Sequence, residues 1–537
     1  MATRYWVGGS GTWNASNTAN WSATSGGSGG ASAPTTTDDV VFNSSSGSGT
    51  VFADYGAVCA NLTMSSGLSL TQIYGYISVY GSLSRSNNSC DIESISIVMQ
   101  STNTVSMGTD GARLMELTVT GLSVVTITAL TNIYTYNTVV GSGSTFNLNG
   151  YTLNTRAANS SGNILGGTIS FAAWNATYYQ LYILGDWSTS TITVSTSYYQ
   201  PTININNSVN PAYTGNITFS YVGTYDVQNL YAKNITINNG ANLTLAAGLS
   251  VYCYGTFYLY PSATLTATST ATIYFNKVSG SPTVSRLIRI DGTLTPTKKV
   301  SFTVDAGADT ITFGSGGLYA LGSPSNIANT IFIKTPTTFT CYGVYAQTFL
   351  VASSATCDIS GLAGFGTTGL NVGAINNQTT SLTVGSTVVS FYNYGSGYCT
   401  FTPGTATYST VTLVDAVALL FTGNGTIGTL NCVSSLGQGN TKALQFDGGA
   451  TYTITSALNL TGASASDQVS LTVKSGTTPA IVSKSSGTVT ATYATISYST
   501  ATGGATFYAL ATQGNVNGGG NSGWIFQAAS GNFLAFF

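Results

Sequence analysis

Histidine is absent from the 537 residues of this chain. Without an imidazole, neither a Ser-His-Asp nor a Cys-His nucleophile arrangement can be built, and a Cys/His zinc site is excluded. Charge is scarce as well. Lys and Arg number 14 and Asp and Glu 16, which is 6% of residues, against about 25% in an ordinary soluble domain. A net charge of −2 offers no clustered cations for phosphates, so nucleic acid is not an expected partner. The one adjacent basic pair, Lys298-Lys299, reads as a solvated strand end or turn.

Long apolar runs are missing too. The longest, Ala416 to Phe421, is strand-sized, well short of the ~18–20 residues that span a bilayer as a helix. Membrane insertion is therefore not expected. The opening residues Met1 to Trp6 show no apolar h-region and no cleavage pattern, so no secretory signal peptide is read there. There is no phosphate-cradling GxxxxGK[ST], EF-hand loop or GGxGxD repeat. No cofactor and no metal site is expected. The seven cysteines, Cys59, Cys90, Cys253, Cys341, Cys357, Cys399 and Cys432, are widely and irregularly spaced, with no CxxC. They read as small buried hydrophobes with free thiols.

What remains is 43% hydrophobic residues, 63 Gly, 33 Tyr, 22 Phe and abundant Ser, Thr and Asn. This is a composition for pleated, half-buried strands rather than for disorder. Helical periodicity is not sustained anywhere, whereas short alternating runs recur about every ten residues. Examples are Thr191 to Val194, Asn216 to Phe219 and Asn234 to Ile237. A degenerate repeat links Ile77–Leu83, Val251–Phe257 and Leu287–Leu294: strand, Gly at the bend, small hydroxyl residue, inward apolar residue. Gly supplies the backbone freedom a tight corner needs. Strand, corner, strand is one coil of a β-solenoid, at about 20–25 residues per coil.

The expected fold is all-β: an elongated right-handed parallel β-helix with capped ends. Residues 1–50 form a Trp/Gly-rich cap or attachment segment, with Trp6, Trp13 and Trp21 making a small local core. Residues 51–440 form the solenoid, 441–526 a C-terminal β-repeat segment, and 527–537 an apolar tail that should pack on its own solenoid, a sister subunit or a neighbouring protein.

Carboxylate pairs are the one catalytic option left, as in a glycosidase with two acids about 5–10 Å apart. Asp91 with Glu93, Asp110 with Glu116, and Asp305 with Asp309 are the candidates. Asp91 and Glu93 alternate about Ile92 and would share one strand face. Sixteen acids scattered over the chain yield such pairs by chance, so the chain is read as non-enzymatic.

Tyrosine parity carries more information. From Val251 to Tyr260, Val251, Cys253, Phe257 and Leu259 fall on one face and Tyr252, Tyr254, Tyr258 and Tyr260 on the other. From Ile73 to Tyr80, Ile73, Ile77 and Val79 oppose Tyr74, Tyr76 and Tyr80. These seven tyrosines are expected on the outside, where a ring with a polar tip can pack against another coil, a sister chain or a sugar.

Two stretches carry a resemblance. The opening Tyr5–Trp13, Asn20-Trp21-Ser22, Pro34 and Asp38–Phe42, and the closing Ala494–Gly504 and Asn521–Trp524, resemble the ends of β-solenoid proteins of phage virion surfaces, of tail-fibre or spike type. The coil Ser144–Leu153 resembles them too, and the opening is similar to that of autotransporter-type adhesins. The resemblance implies solenoid architecture and a surface location; with the missing signal peptide and the tyrosine stripe, the expectation is a structural fibre or spike on a virion, made in the host cytoplasm, a homotrimer bound to other virion proteins, with a host-surface glycan as a further partner. A capsid decoration protein, a secreted bacterial adhesin and a capsule-degrading tailspike are the alternatives it leaves open.

Overall fold

The computed structural model describes residues 1–87, 90–121, 124–172, 180–195, 202–205, 214–220, 224–245, 250–260, 263–267, 271–276, 285–290, 293–294, 300–305, 310–314, 328–333, 337–339, 344–352, 355–359, 370–377, 381–392, 398–414, 418–434 and 442–527. They form a β-solenoid of about 16 turns, nearly all strand and about 1% helical. The chain divides into two compact units, Met1–Gly255 and Thr256–Phe537.

In the first unit, strands one coil apart pair in parallel. Leu62 pairs with Leu83 and Leu83 with Val105, while on a second face Ile77 pairs with Ile97 and Ile97 with Leu117. A coil is thus about 20–22 residues here, within the expected length. These paired residues are fully buried or nearly so, which stacks an aliphatic file through the interior. Burial alternates along each strand, as in Asn216–Phe219 and Asn234–Ile237. One stretch of the interior is polar. Thr135, Thr138 and Thr155 are buried together, with their hydroxyls 2.7 and 3.0 Å apart along the chain of contacts, and Thr155 donates to the Ala157 carbonyl at 2.6 Å.

The start of this unit is a cap. Trp6, Trp13 and Trp21 are fully buried and meet edge to face, with centroids 5.0 Å apart for Trp6–Trp21 and 5.2 Å for Trp13–Trp21. Phe42 completes the cluster, 5.9 Å from Trp6. The strand Trp21–Ser22 runs antiparallel to Thr3–Trp6, whose other edge pairs in parallel with Asp39–Phe42. Asp38 ties the segment down by accepting from the Ala2 amide, the Thr35 amide and the Thr35 hydroxyl.

In two of the three instances of the repeat noticed in the sequence the glycine does something other than expected; Gly292 of the third lies outside the described residues. Gly81 and Gly255 follow the strands Leu70–Val79 and Ser250–Cys253. Neither has the left-handed backbone for which Gly is usually required. Both instead lie flat on an asparagine of the preceding coil. A Cβ at Gly81 would stand 2.4 Å from Asn61 Oδ1 and 2.8 Å from the Ala60 carbonyl oxygen; at Gly255 it would stand 2.4 Å from Asn234 Oδ1 and 2.7 Å from the Lys233 oxygen. Close approach, not dihedral freedom, demands glycine at these corners.

The second unit stacks in the same way. Val411 pairs with Leu430 and Leu430 with Leu458; Leu419 pairs with Leu444, Leu444 with Leu471 and Leu471 with Ile496. Its interior carries an aromatic file. Phe391, Phe401, Phe421 and Phe446 follow one another at 5.2, 5.3 and 4.6 Å. Tyr408 and Tyr452 are fully buried beside them; Tyr408 donates to the Pro403 carbonyl at 3.2 Å and Tyr452 accepts from the Asp447 amide at 3.0 Å. Near its end Thr488–Thr490, Thr506–Tyr508 and Trp524–Ile525 form a small separate sheet, with Trp524 against Phe507 at 5.1 Å.

Cys59, Cys253, Cys357, Cys399 and Cys432 are buried free thiols and Cys90 is a half-buried one. Burial pushes the Cys432 thiol up to about 12 against the opposing charge of Lys442. Cys341 and residues 528–537 of the apolar tail lie outside the described residues. Among the described residues no helix is long and apolar enough to cross a membrane.

Candidate surface site on the outer face

Six of the seven tyrosines singled out by parity face outward or sit half-exposed, and five of them pack against another aromatic ring. On the first coils, Tyr74 packs on Phe52 at 5.1 Å and Tyr76 on Tyr55 at 5.3 Å. Tyr55 is 86% exposed, and Phe52 and Tyr80 are each 38% exposed. Behind them Ile73, Ile77 and Val79 are fully buried, so the parity holds. Later in the same unit, Tyr252 lies flat on Tyr231 at 4.5 Å with the rings 9° apart. In the second unit, Tyr258 and Tyr260 share one face and stack at 4.0 Å.

Tyr254 is the exception and corrects the expectation: it is buried, 8% exposed. The strand Ser250–Cys253 ends one residue before it, and the backbone bends into the Gly255 corner. Alternation applies only while the strand is extended, so parity counted through a corner fails. Burial raises the Tyr254 hydroxyl pKa, and neighbouring Tyr231 and Tyr252 add to the effect.

Polar groups gather beside the first aromatic cluster. The outward file of the stacked strands runs Tyr76, Ser96, Glu116, Asn137 in unbroken register. Glu116 accepts from Thr118 Oγ1 at 2.9 Å and Asn137 Nδ2 at 2.7 Å. The Tyr76 hydroxyl pKa is raised by burial first and then by the charge of Glu116. One coil corner over, Tyr136 donates to Glu93 Oε2 at 2.8 Å, Arg113 stands 3.5 Å from Glu93 Oε1, and the Arg156 guanidinium lies 4.0 Å above the Tyr136 ring. Glu93 and Glu116 are the chain's only glutamates. In a protein with so few charges, one stands in the file that begins at Tyr76 and the other accepts from Tyr136.

The carboxylate pairs read from sequence come out differently. Asp91 and Glu93 do not share a strand face. Asp91 forms an isolated parallel bridge with Gln72 and Glu93 lies in the turn before the strand Ile95–Met99, where Asp91 Oδ1 accepts the Glu93 amide at 2.8 Å. This is the local side-chain-to-backbone bond that aspartate offers in turns. Asp110 is committed to Arg85, which grips it through both guanidinium nitrogens at 2.7 and 3.0 Å and is itself 4% exposed. Asp309 and the side chain of Asp305 lie outside the described residues. No group of three or more Cys, Asp or Glu able to hold a metal ion occurs among the described residues.

Sequence reasoning missed Phe52 and Tyr55 as neighbours of Tyr74 and Tyr76, Asn137 as a partner of Glu116, and Arg113 and Tyr136 as partners of Glu93, with Arg156 over the Tyr136 ring. Their proximity depends on the pairing between coils, which no local pattern displays. The chain matches no protein-family model, no curated protein and no solved structure.

Proposed function

We propose that the chain is a non-enzymatic structural protein of a phage particle, of fibre or spike type, that contacts a host-surface glycan through its outward aromatics. The observation that supports this reading best is the file Tyr76–Ser96–Glu116–Asn137 with Tyr55 packed against its first ring at 5.3 Å. A flat ring next to a carboxylate and an amide, with small Ser96 between them, offers a sugar both a stacking face and hydrogen-bonding partners. The solenoid supplies the rigid scaffold on which such a site stays organised. The terminal motifs that resemble virion-surface solenoids support the location.

The test has two arms. Immunogold labelling of particles should find the chain on the virion surface; labelling restricted to cell debris would refute the phage assignment. Glycan-array binding by the purified chain should be lost in Tyr55→Ala/Tyr76→Ala while the circular dichroism is retained. Binding that is absent in the wild type, or unchanged in the variant, would refute the site.

A further inference from the structure

The coils of the first unit that follow the strand Ile133–Val140 have a regularity the proposed function does not use. The strands Thr152–Ser160, Thr168–Ala172, Thr191–Ser195, Asn216–Phe219 and Asn234–Ile237 stack in parallel without a slip in register. Each opens on the same three-residue pattern: Thr or Asn, a buried aliphatic, then Thr, Ser or Asn. The aliphatics Leu153, Ile169, Ile192, Ile217 and Ile235 are at most 1% exposed. The flanking polar residues point outward and form two straight files. One runs from Thr152 through Thr168, Thr191 and Asn216 to Asn234. The other runs from Asn154 through Ser170, Thr193 and Thr218 to Thr236.

Ten side chains thus stand in a two-by-five array with no charge among them. Spacing along a file is the coil repeat, about 4.8 Å, and spacing between files is two residues of extended chain, about 6.6 Å. Four such repeats make the strip about 19 Å long. Within it, Asn234 Nδ2 donates to Asn216 Oδ1 at 2.7 Å. Among the described residues, the hydroxyls of Thr168, Thr191, Thr193, Thr218 and Thr236 find no hydrogen-bond partner. The array is therefore not a ladder that holds the coils together. Threonine is stiff about χ1, so each hydroxyl and methyl group is held at a fixed place on a fixed backbone.

A surface of this kind suits few occupants. A protein partner needs roughly 800 Å² per side and aromatic or arginine anchors, and the strip has neither the width nor the anchors. A sugar chain would want a stacking ring; the ten positions contain none, and Tyr134, which pairs with Asn154 one coil earlier, stands beyond the end of the strip. An ordered lattice of water fits. The prism faces of hexagonal ice present parallel rows of oxygens whose repeat along one direction lies near the coil repeat and along the other is of the same order as the spacing between the files. Regular hydroxyls alternating with methyl groups can anchor such rows without the disorder that charged, strongly hydrated groups impose.

We propose that this strip is an ice-binding face. The inference is independent of the glycan reading, since it uses different residues on different coils. The test is ice-affinity partitioning and inhibition of ice recrystallisation by the full chain, with temperature-ramped microscopy of single crystals. The wild type should be taken up into slowly growing ice and should arrest recrystallisation. Thr193→Tyr/Thr218→Tyr breaks the flat lattice and should lose both activities, with circular dichroism confirming the fold. Thr193→Val/Thr218→Val keeps shape and methyl groups and should lose part of the activity. Ser470→Tyr, outward on the second unit, should leave it unchanged. Exclusion of the wild type from ice overturns the proposal, as does activity that survives the tyrosine pair. Retention on crystalline cellulose or chitin that the tyrosine pair abolishes, with no uptake into ice, would overturn it in favour of a polysaccharide.

Discussion

Replacing Gly81 by alanine tests the claim that the solenoid corner is governed by contact between coils. The added Cβ would meet Asn61 Oδ1 at 2.4 Å and the Ala60 carbonyl oxygen at 2.8 Å. The Asn61 side chain cannot simply swing away, because its Oδ1 accepts the Ser82 amide at 2.7 Å and its Nδ2 reaches Asp39 at 2.7 Å. The Ala60 carbonyl is backbone and moves only with its coil. Overpacking of this kind costs about 1–3 kcal/mol, and an unmade bond to the Ser82 amide would add about 1 kcal/mol. Gly150 is the matched control. It has φ +84° and nothing within 4 Å of the place a Cβ would take. Gly150→Ala therefore bears only the strain of the left-handed backbone, about 1 kcal/mol, and Gly150→Asn less. The order should reverse between sites: asparagine is the better tolerated substitution at 150 and the worse one at 81. Repeat arrays open locally rather than all at once, so the assay is hydrogen exchange at the Ser82 and Leu83 amides and at Tyr151 and Thr152, read against global denaturation. If Gly81→Ala exchanges like the wild type, or Asn is harmless at 81, the corner is not set by close approach.

Three further outcomes follow from the same physics. Phe257 is fully buried against Phe275 at 5.8 Å, so Phe257→Ala should destabilise its coil by about 3–5 kcal/mol through the cavity it leaves, seen as faster exchange confined to neighbouring strands. Acid should loosen the N-terminal cap: burial pushes the Asp38 carboxyl up, but hydrogen bonds from Thr35 and Ala2 outweigh this and hold it below the usual carboxylate value. A depressed folded pKa contributes stability above the unfolded value near 3.8, and that stability is lost as pH falls through the folded value; tryptophan fluorescence of the cap should therefore change below about pH 4, and Asp38→Asn should bring the change to neutral pH. Without reductant, Cys59, Cys253, Cys357, Cys399 and Cys432 should resist alkylation at pH 8 in the native chain and take label in the denatured one; labelling that requires reductant would contradict the free buried thiols.

Within a strand, the sequence was a faithful guide. Alternation placed Ile73, Ile77, Val79, Val251, Cys253, Phe257 and Leu259 inside, and all are at most 1% exposed. Where the chain leaves the extended state, the guide failed, as at Tyr254 and at the Asp91–Glu93 turn. What no local pattern could show is which residues meet across coils. Coil length varies: Val105 pairs with Ala129, 24 positions on, but Phe146 pairs with Ile164, only 18 on. The file that joins Tyr76 to Glu116 and Asn137 depends on those offsets. Buried tyrosines such as Tyr408 and Tyr452 also escaped the parity argument, since a hydroxyl that finds a backbone partner can be accommodated inside.

The antiparallel strand Trp21–Ser22 has a consequence for self-association. A parallel stack offers its bare edge as a template for any chain with a free strand. Here the outermost strand runs the wrong way to continue the stack, and its far side is already occupied, with the Ala31 amide on the Trp21 carbonyl at 2.9 Å and the Gly30 amide on Thr18 at 2.9 Å. Seeding of ordered aggregates cannot begin at that edge while the cap is folded. Deleting residues 17–31 would expose the strand Thr3–Trp6 and turn a closed sheet into a nucleus for fibrils.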